Sequence, residues 1–113
     1  MKHFGLTLAL RDDPHAIDRY KDEHQHVWPE VIAELRSIGV KHMRIFLLGR
    51  RMFMYLETVD SFEPARDFPL MNENPRYAQW DALMRTMQER VPEALTSDWW
   101  SPMEEVFDLE RHS

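Results

Sequence analysis

The chain has 113 residues, 43% hydrophobic and 30% charged, a composition typical of one folded domain and not of a disordered segment. Its 14 basic and 20 acidic residues give a formal net charge of -6, which argues against nucleic acid and anionic membranes as partners. The absence of cysteine excludes disulfides, thiolate nucleophiles and cysteine-ligated metals.

The N-terminal segment has no long apolar stretch of the kind that secretory signals carry, and no apolar run approaches transmembrane length. We therefore expect a cytoplasmic protein. Neither an internal repeat nor a linker interrupts the chain, so residues 1–113 are expected to form a single domain.

The first predicted elements are a strand and an interrupted helix. Large apolar side chains recur at every second position over residues 2–10, which predicts a strand with one apolar face. Asp12 or Asp13 is suited to cap a helix that begins at Pro14 and runs with helical apolar spacing to about residue 38. Pro29 should break or kink that helix, and Gly39 should end it.

A hairpin and further elements follow. Alternating apolar residues predict strands over 40–48 and 51–59, joined by a tight turn at Gly49-Arg50. A short helix or turn is expected over 60–68, and an amphipathic helix over 74–90, opened by Asn74-Pro75. The segment from Pro92 to Pro102 is expected to be irregular, and a last strand is expected over 103–109.

The order β-α-β-β-α-β predicts an α+β fold of the ferredoxin-like split βαβ type, with both helices on one face of an antiparallel sheet. The other sheet face would be exposed in a monomer. Because an exposed apolar sheet face is unfavourable, small proteins of this plan usually cover it with loops or by dimerisation.

Tyr20, His24 and Trp28 are spaced four residues apart, which places them on one face of the predicted helix. Residues four apart on a helix are neighbours, so a phenol and an imidazole should meet there beside an indole. The imidazole titrates near neutral pH, and aromatic rings suit the C–H faces of sugars. The same spacing is also typical of plain core residues, with a histidine whose role is structural.

Metal binding by His24 and His26 is an alternative that the pattern does not favour. Two helical residues two apart point in different directions, and no third ligand stands at a standard spacing. Neither a Gly-rich phosphate loop nor a Ser-His-Asp signature is present. We expect no metal in the site.

Three further tryptophans could reach a pocket. Trp99 and Trp100 adjoin in the irregular segment, where they would either cover a pocket or close the end of the sheet. Trp80 on the last helix is most simply a core residue that could also face the pocket.

Over nearly its full length the chain resembles the L-rhamnose mutarotase family. The resemblance rests on Tyr20-x-x-x-His24-x-x-x-Trp28-Pro29-Glu30 and on the closing segment Trp99-Trp100-x-Pro102-Met103-Glu104-Glu105-Val106-Phe107. Gly39 before the hairpin and Trp80 in the last helix add to it. It implies a ferredoxin-like domain of the dimeric α/β barrel type, an aldose 1-epimerase without a cofactor, and a homodimer formed through the sheet.

The resemblance also implies roles for individual residues. His24 matches the family's proton donor, and Tyr20 matches a tyrosine that contacts the sugar. A tryptophan pair of the family corresponds here to Gln79-Trp80, so only Trp80 carries over. A sugar-binding tyrosine of the family aligns with Met43. The expected reaction is the interconversion of the α and β anomers of a 6-deoxy-L-hexose, L-rhamnose or L-fucose, with His24 as general acid.

Two other functions remain as alternatives. Dimeric ferredoxin-like domains also serve as small monooxygenases or haem-handling proteins. A non-catalytic sugar-binding module would bind a sugar but leave its anomer exchange at the solution rate.

Overall fold

The computed structural model describes residues 1–112, which form five strands, four α-helices and one short 3-10 turn. Their bounds, in chain order, are β1 Lys2–Leu10, α1 Pro14–Glu23, α2 Pro29–Ser37, β2 Val40–Leu48, β3 Arg51–Thr58, α3 Pro64–Met71, α4 Pro75–Arg85, β4 Gln88–Glu89, β5 Ser101–Pro102 and the 3-10 turn Leu109–Arg111. Within this part of the chain, no helix has the length and apolarity needed to cross a bilayer.

The strands form one antiparallel sheet in the order β2-β3-β1, with β4 and β5 both paired to the remaining edge of β1. This is the predicted ferredoxin-like topology, in which the last strand is divided into two short pieces. Residues 90–100 form the loop between those pieces, and this loop returns over the helix-covered side of the sheet.

Local signals placed most element boundaries correctly. The Asp13 side chain caps α1 by accepting from the backbone N–H of His15 at 3.0 Å. Trp28 is extended at φ -59° and ψ 134°, because the following Pro29 disfavours the helical conformation, and α2 begins at that proline. Gly39, at φ 105°, ends α2 in a conformation that side chains with a Cβ rarely adopt.

The core lies between the sheet and the helices. Leu8 and Leu10 of β1 are fully buried on this side, and they pack with Tyr20 of α1 and Trp80 of α4. The period-two pattern of β1 therefore directs its large side chains into the core, as predicted. The same packing fixes α1 and α4 over the sheet, which positions the candidate site.

The predictions for the last third of the chain were partly wrong. The first helix there runs to Met71 with Pro69 inside it, and the next ends at Arg85 instead of residue 90. Gln88 belongs to β4, because the backbone leaves the helix and pairs with Leu10 at the edge of β1. The strand predicted over 103–109 is absent: β5 comes earlier, and its pairing ends where the N–H of Met103 donates to Gly5 O.

Candidate active site

A cavity of about 1030 Å³ lies between the helix-covered face of the sheet, the helices and the 90–100 loop. Six of the eight residues singled out from the sequence line it: Tyr20, His24, Met43, Trp80, Trp99 and Trp100. The volume falls at the upper end of what small-molecule sites occupy. The cavity thus brings most of the predicted site residues together.

Tyr20 and His24 are brought together by α1 itself. They stand one helical turn apart, and their ring centroids are separated by 4.2 Å. Tyr20 is 5% exposed within the core, whereas His24 ends the helix and is half-buried. The phenol is thereby fixed by packing, and the imidazole stands at the boundary between core and cavity.

The Tyr20 backbone carbonyl fixes the tautomer of His24. His24 Nδ1 lies 2.8 Å from that oxygen, and a carbonyl only accepts, so Nδ1 carries a proton. Nε2 has no hydrogen-bond partner within residues 1–112. Burial holds the pKa of His24 below its ordinary value of 6.5, against the opposing effect of the Tyr20 carbonyl. At neutral pH, His24 therefore presents an unprotonated Nε2.

Gln88 was not predicted as a site residue, yet its side chain joins two residues that were. Its Nε2 lies 3.3 Å from the hydroxyl of Tyr20, and its Oε1 accepts from Trp99 Nε1 at 2.8 Å. Burial raises the pKa of Tyr20 to about 12, so the phenol stays neutral at physiological pH. No local pattern indicated this role, because a helix was predicted over the position of Gln88.

Tryptophans form the apolar wall beside the imidazole. The Trp80 ring is 5.6 Å from the His24 ring and 5.2 Å from the Trp28 ring, both in edge-to-face geometry. Trp28 does not itself line the cavity: it packs edge-to-face against Trp80, and the Arg76 guanidinium lies 3.7 Å from its ring centroid.

The 90–100 loop closes one side of the cavity with Trp99 and Trp100. The Arg85 guanidinium lies 4.5 Å from the Trp99 ring centroid and also pairs with Asp81 at 3.0 Å. Trp100 packs against two groups of buried core side chains, one that contains Leu8 and one that contains Leu6. The paired tryptophans thus cover a pocket, one of the two roles expected for them.

Met43 and Gln79 lie in different surroundings. Met43 is half-buried on β2 and contributes an apolar side chain to the cavity. Gln79 is exposed on the outer face of α4, where its Oε1 accepts from Arg76 at 3.1 Å, and it does not line the cavity. The geometry therefore gives no contact of Gln79 with a ligand in this cavity.

Polar groups on α4 also face the cavity, although the sequence pattern indicates only an amphipathic helix here. Tyr77, Asp81 and Arg85 all line it. Burial, followed by the nearby Asp81 carboxylate, raises the pKa of Tyr77, which is therefore neutral. These groups can hydrogen-bond to hydroxyls of a polar ligand.

The two histidines considered as a metal pair are separated by the end of α1. His26 is exposed in the turn that follows, while His24 lines the cavity. Over residues 1–112, no three His, Asp or Glu side chains are grouped as metal ligands would be.

A family model and two similar proteins are all described as mutarotases. A family model described as L-rhamnose mutarotase matches residues 3–109. An L-fucose mutarotase of Xanthomonas campestris pv. campestris is 31% identical over 111 residues, covering 96% of this chain and 89% of that protein. An L-rhamnose mutarotase of Mannheimia succiniciproducens is 30% identical over 108 residues, covering 94% and 96% respectively.

A solved structure has the same fold. The crystal structure of an L-rhamnose mutarotase from Formosa agariphila superimposes with a TM-score of 0.69 and 22% sequence identity, covering 96% of this chain and 98% of that one. At this identity the match establishes the ferredoxin-like fold.

Proposed function

The chain belongs to the L-rhamnose mutarotase family, and we propose that it interconverts the α and β anomers of a 6-deoxy-L-hexose. The observation that carries this proposal is the arrangement of His24: it lines an aromatic cavity, its Nδ1 is held by a carbonyl, and its Nε2 is left to exchange protons. Mutarotation needs a group that both accepts and returns a proton near neutral pH.

In the proposed mechanism His24 acts first as a base. Nε2 takes the proton of the anomeric hydroxyl, C1=O forms, and the bond between C1 and the ring oxygen breaks. The ring oxygen then receives the proton from Nε2, which gives the open aldehyde. After rotation about C1–C2, the same steps run in reverse on the other face of C1. The general-acid role expected from the resemblance is thus the second half of one proton shuttle.

The surrounding residues suit a deoxysugar. Trp80, Trp99 and Trp100 offer apolar surface for the C–H faces of a pyranose. Met43 adds an apolar side chain that a 6-methyl group can contact. Asp81 and Arg85 offer an acceptor and donors to the ring hydroxyls. L-fucose and L-rhamnose are the two candidates, since the names of the two mutarotase relatives described above give one or the other.

Saturation-transfer NMR of anomer exchange tests this function and its substrate together. We expect faster exchange with L-fucose or L-rhamnose and little effect on L-galactose or L-mannose, which carry a hydroxyl on C6. Binding of both deoxysugars with exchange at the solution rate would contradict the proposal and identify a sugar-binding module instead.

The pH dependence of exchange follows from the ionisation of His24. Because its pKa lies below 6.5, neutral His24 should predominate from pH 8 down to about 6.5, and the enzyme-dependent rate should stay level. Below its pKa the ring gains a proton, Nε2 no longer accepts, and the rate should fall. Exchange rates at each pH, corrected for the protein-free reaction, check this. A rate that rises on acidification would show that the imidazolium is the active form.

We also propose that a second copy of this chain covers the open face of the sheet. Phe46 and Phe53 stack there with ring centroids 6.2 Å apart, and they are 54% and 39% exposed. The segment that follows β5, residues 103–112, begins on the same face. Farther along this segment, Val106 and Phe107 are 87% and 67% exposed. In a two-fold dimer, these apolar groups would bury one another.

Phe53→Asp should convert the dimer into a monomer, because it places a charge at the centre of that face. Leu70→Asp is the matched control: Leu70 is 48% exposed on α3, away from the open face, and its replacement should leave the dimer intact. Sedimentation equilibrium measures both. A wild-type protein that sediments at the 13.7 kDa of one chain would refute the dimer.

The cytoplasmic location stays a prediction, to be checked by cell fractionation.

A further inference from the structure

The direction of the two hydrogen bonds made by Gln88 follows from chemistry alone. The indole N–H of Trp99 is only a donor, so the Gln88 atom 2.8 Å from it must be the amide oxygen. The amide nitrogen then faces the Tyr20 hydroxyl, at 3.3 Å. Because an amide nitrogen only donates, the oxygen of Tyr20 accepts this bond.

One consequence concerns the proton of Tyr20. Its oxygen is engaged by Gln88, and no acceptor within residues 1–112 receives its O–H. Tyr20 lines the cavity, so that proton is available to a ligand there. A Tyr20 hydroxyl that donates would meet an oxygen of the sugar that accepts, which is what the ring oxygen requires when the C1 bond breaks and negative charge develops on it.

A second consequence concerns the 90–100 loop. Gln88 lies in β4, where Leu10 is its strand partner, so its backbone is fixed to the sheet. The residue is 4% exposed. The bond to Trp99 therefore ties the loop that closes the cavity to the rigid sheet and to Tyr20 at the same point.

We propose that Gln88 is a positioning residue for mutarotation: it sets the Tyr20 hydroxyl as a donor to the sugar and holds Trp99 against the cavity. This assignment rests on the proposed function. It adds a residue that acts through two others and is not expected to touch the reacting atoms.

Gln88→Glu keeps a hydrogen bond between residue 88 and Tyr20 but reverses its direction. A carboxylate has nearly the same shape and still accepts from Trp99, but it also accepts from Tyr20, so the tyrosine proton turns away from the sugar. At pH 8, we expect kcat for anomer exchange to fall about ten- to hundredfold, as the loss of one hydrogen bond to a developing charge predicts. KM should change less, because the tryptophan wall is kept.

The pH dependence of the relative rate distinguishes this role from a purely structural role of Gln88, which would give a ratio that does not vary with pH. As pH falls, the buried carboxyl introduced by Gln88→Glu gains a proton and can again donate to Tyr20, so the rate of this variant relative to wild type should recover. Gln88→Met lacks both polar atoms, and its relative rate should stay low at every pH. In a Tyr20→Phe background, Gln88→Glu should have little further effect on kcat.

Unchanged kcat in Gln88→Glu, a ratio to wild type that does not vary with pH, or an equal loss in the Tyr20→Phe background would overturn the assignment. Wild-type exchange measured in parallel keeps the two proposals apart. If wild type shows no exchange, the proposed function fails. In that case, the Trp99 indole ¹H–¹⁵N resonance still tests the hydrogen bond between Trp99 and Gln88. The resonance should keep its position in Gln88→Glu and shift in Gln88→Met, and the reverse pattern would refute this hydrogen bond.

Discussion

Replacing His24 with alanine should reduce the enzyme-dependent rate of anomer exchange by about 10²–10⁴-fold, the usual contribution of one positioned acid or base. The fold should survive, because His24 is half-buried at the end of α1 and its backbone N–H still bonds to the Tyr20 carbonyl. Saturation-transfer NMR gives the rate, and circular dichroism with thermal unfolding gives the fold.

Two further variants make the His24 result specific. His24→Gln retains an amide that can donate to the Tyr20 carbonyl but transfers no proton, so it should be as inactive as His24→Ala. His26→Ala removes an exposed imidazole two residues away and should keep wild-type exchange. An active His24→Ala, or equal losses in His24→Ala and His26→Ala, would contradict the proposed role.

Trp80→Ala should lower both the stability and the activity. Trp80 is 6% exposed and packs edge-on against His24 and Trp28, so truncation leaves a large void between α4 and α1. Trp→Ala at a buried site costs about 3–5 kcal/mol in the free energy of unfolding. The sugar also loses a wall of its cavity, so KM should rise in whatever folded protein remains.

Trp80→Phe is the matched control for this prediction. It keeps an aromatic ring in the same place and should recover most of the stability, with a smaller rise in KM. Urea denaturation and sugar-dependent exchange rates measure both. A loss below about 1 kcal/mol in Trp80→Ala would show that Trp80 is not an element of the core.

Local patterns were sufficient for the first two-thirds of the fold. The alternation in β1 predicted its buried face, Pro29 predicted the break between α1 and α2, and Gly49-Arg50 predicted the hairpin turn. Each depends on residues within one turn or one strand. The four-residue spacing likewise predicted that Tyr20 and His24 would meet.

The remainder depends on contacts that are distant in sequence. Which short segment pairs with the free edge of β1 is decided by tertiary packing, so β4 and β5 were missed and a strand was predicted over 103–109. For the same reason, the role of Gln88 was not predicted: it contacts Tyr20 only because β4 pairs with the edge of β1. The outward direction of Gln79 likewise depends on how α4 packs against the sheet.

The proposed chemistry requires that neutral His24 carries its proton on Nδ1 and uses Nε2 for exchange. Long-range ¹H–¹⁵N correlation spectra of the ring at pH 7.5 test it directly. We expect a protonated Nδ1 and an unprotonated Nε2 whose resonance shifts when L-fucose or L-rhamnose is added. A proton on Nε2 instead, or an Nε2 resonance unmoved by either sugar, would contradict it.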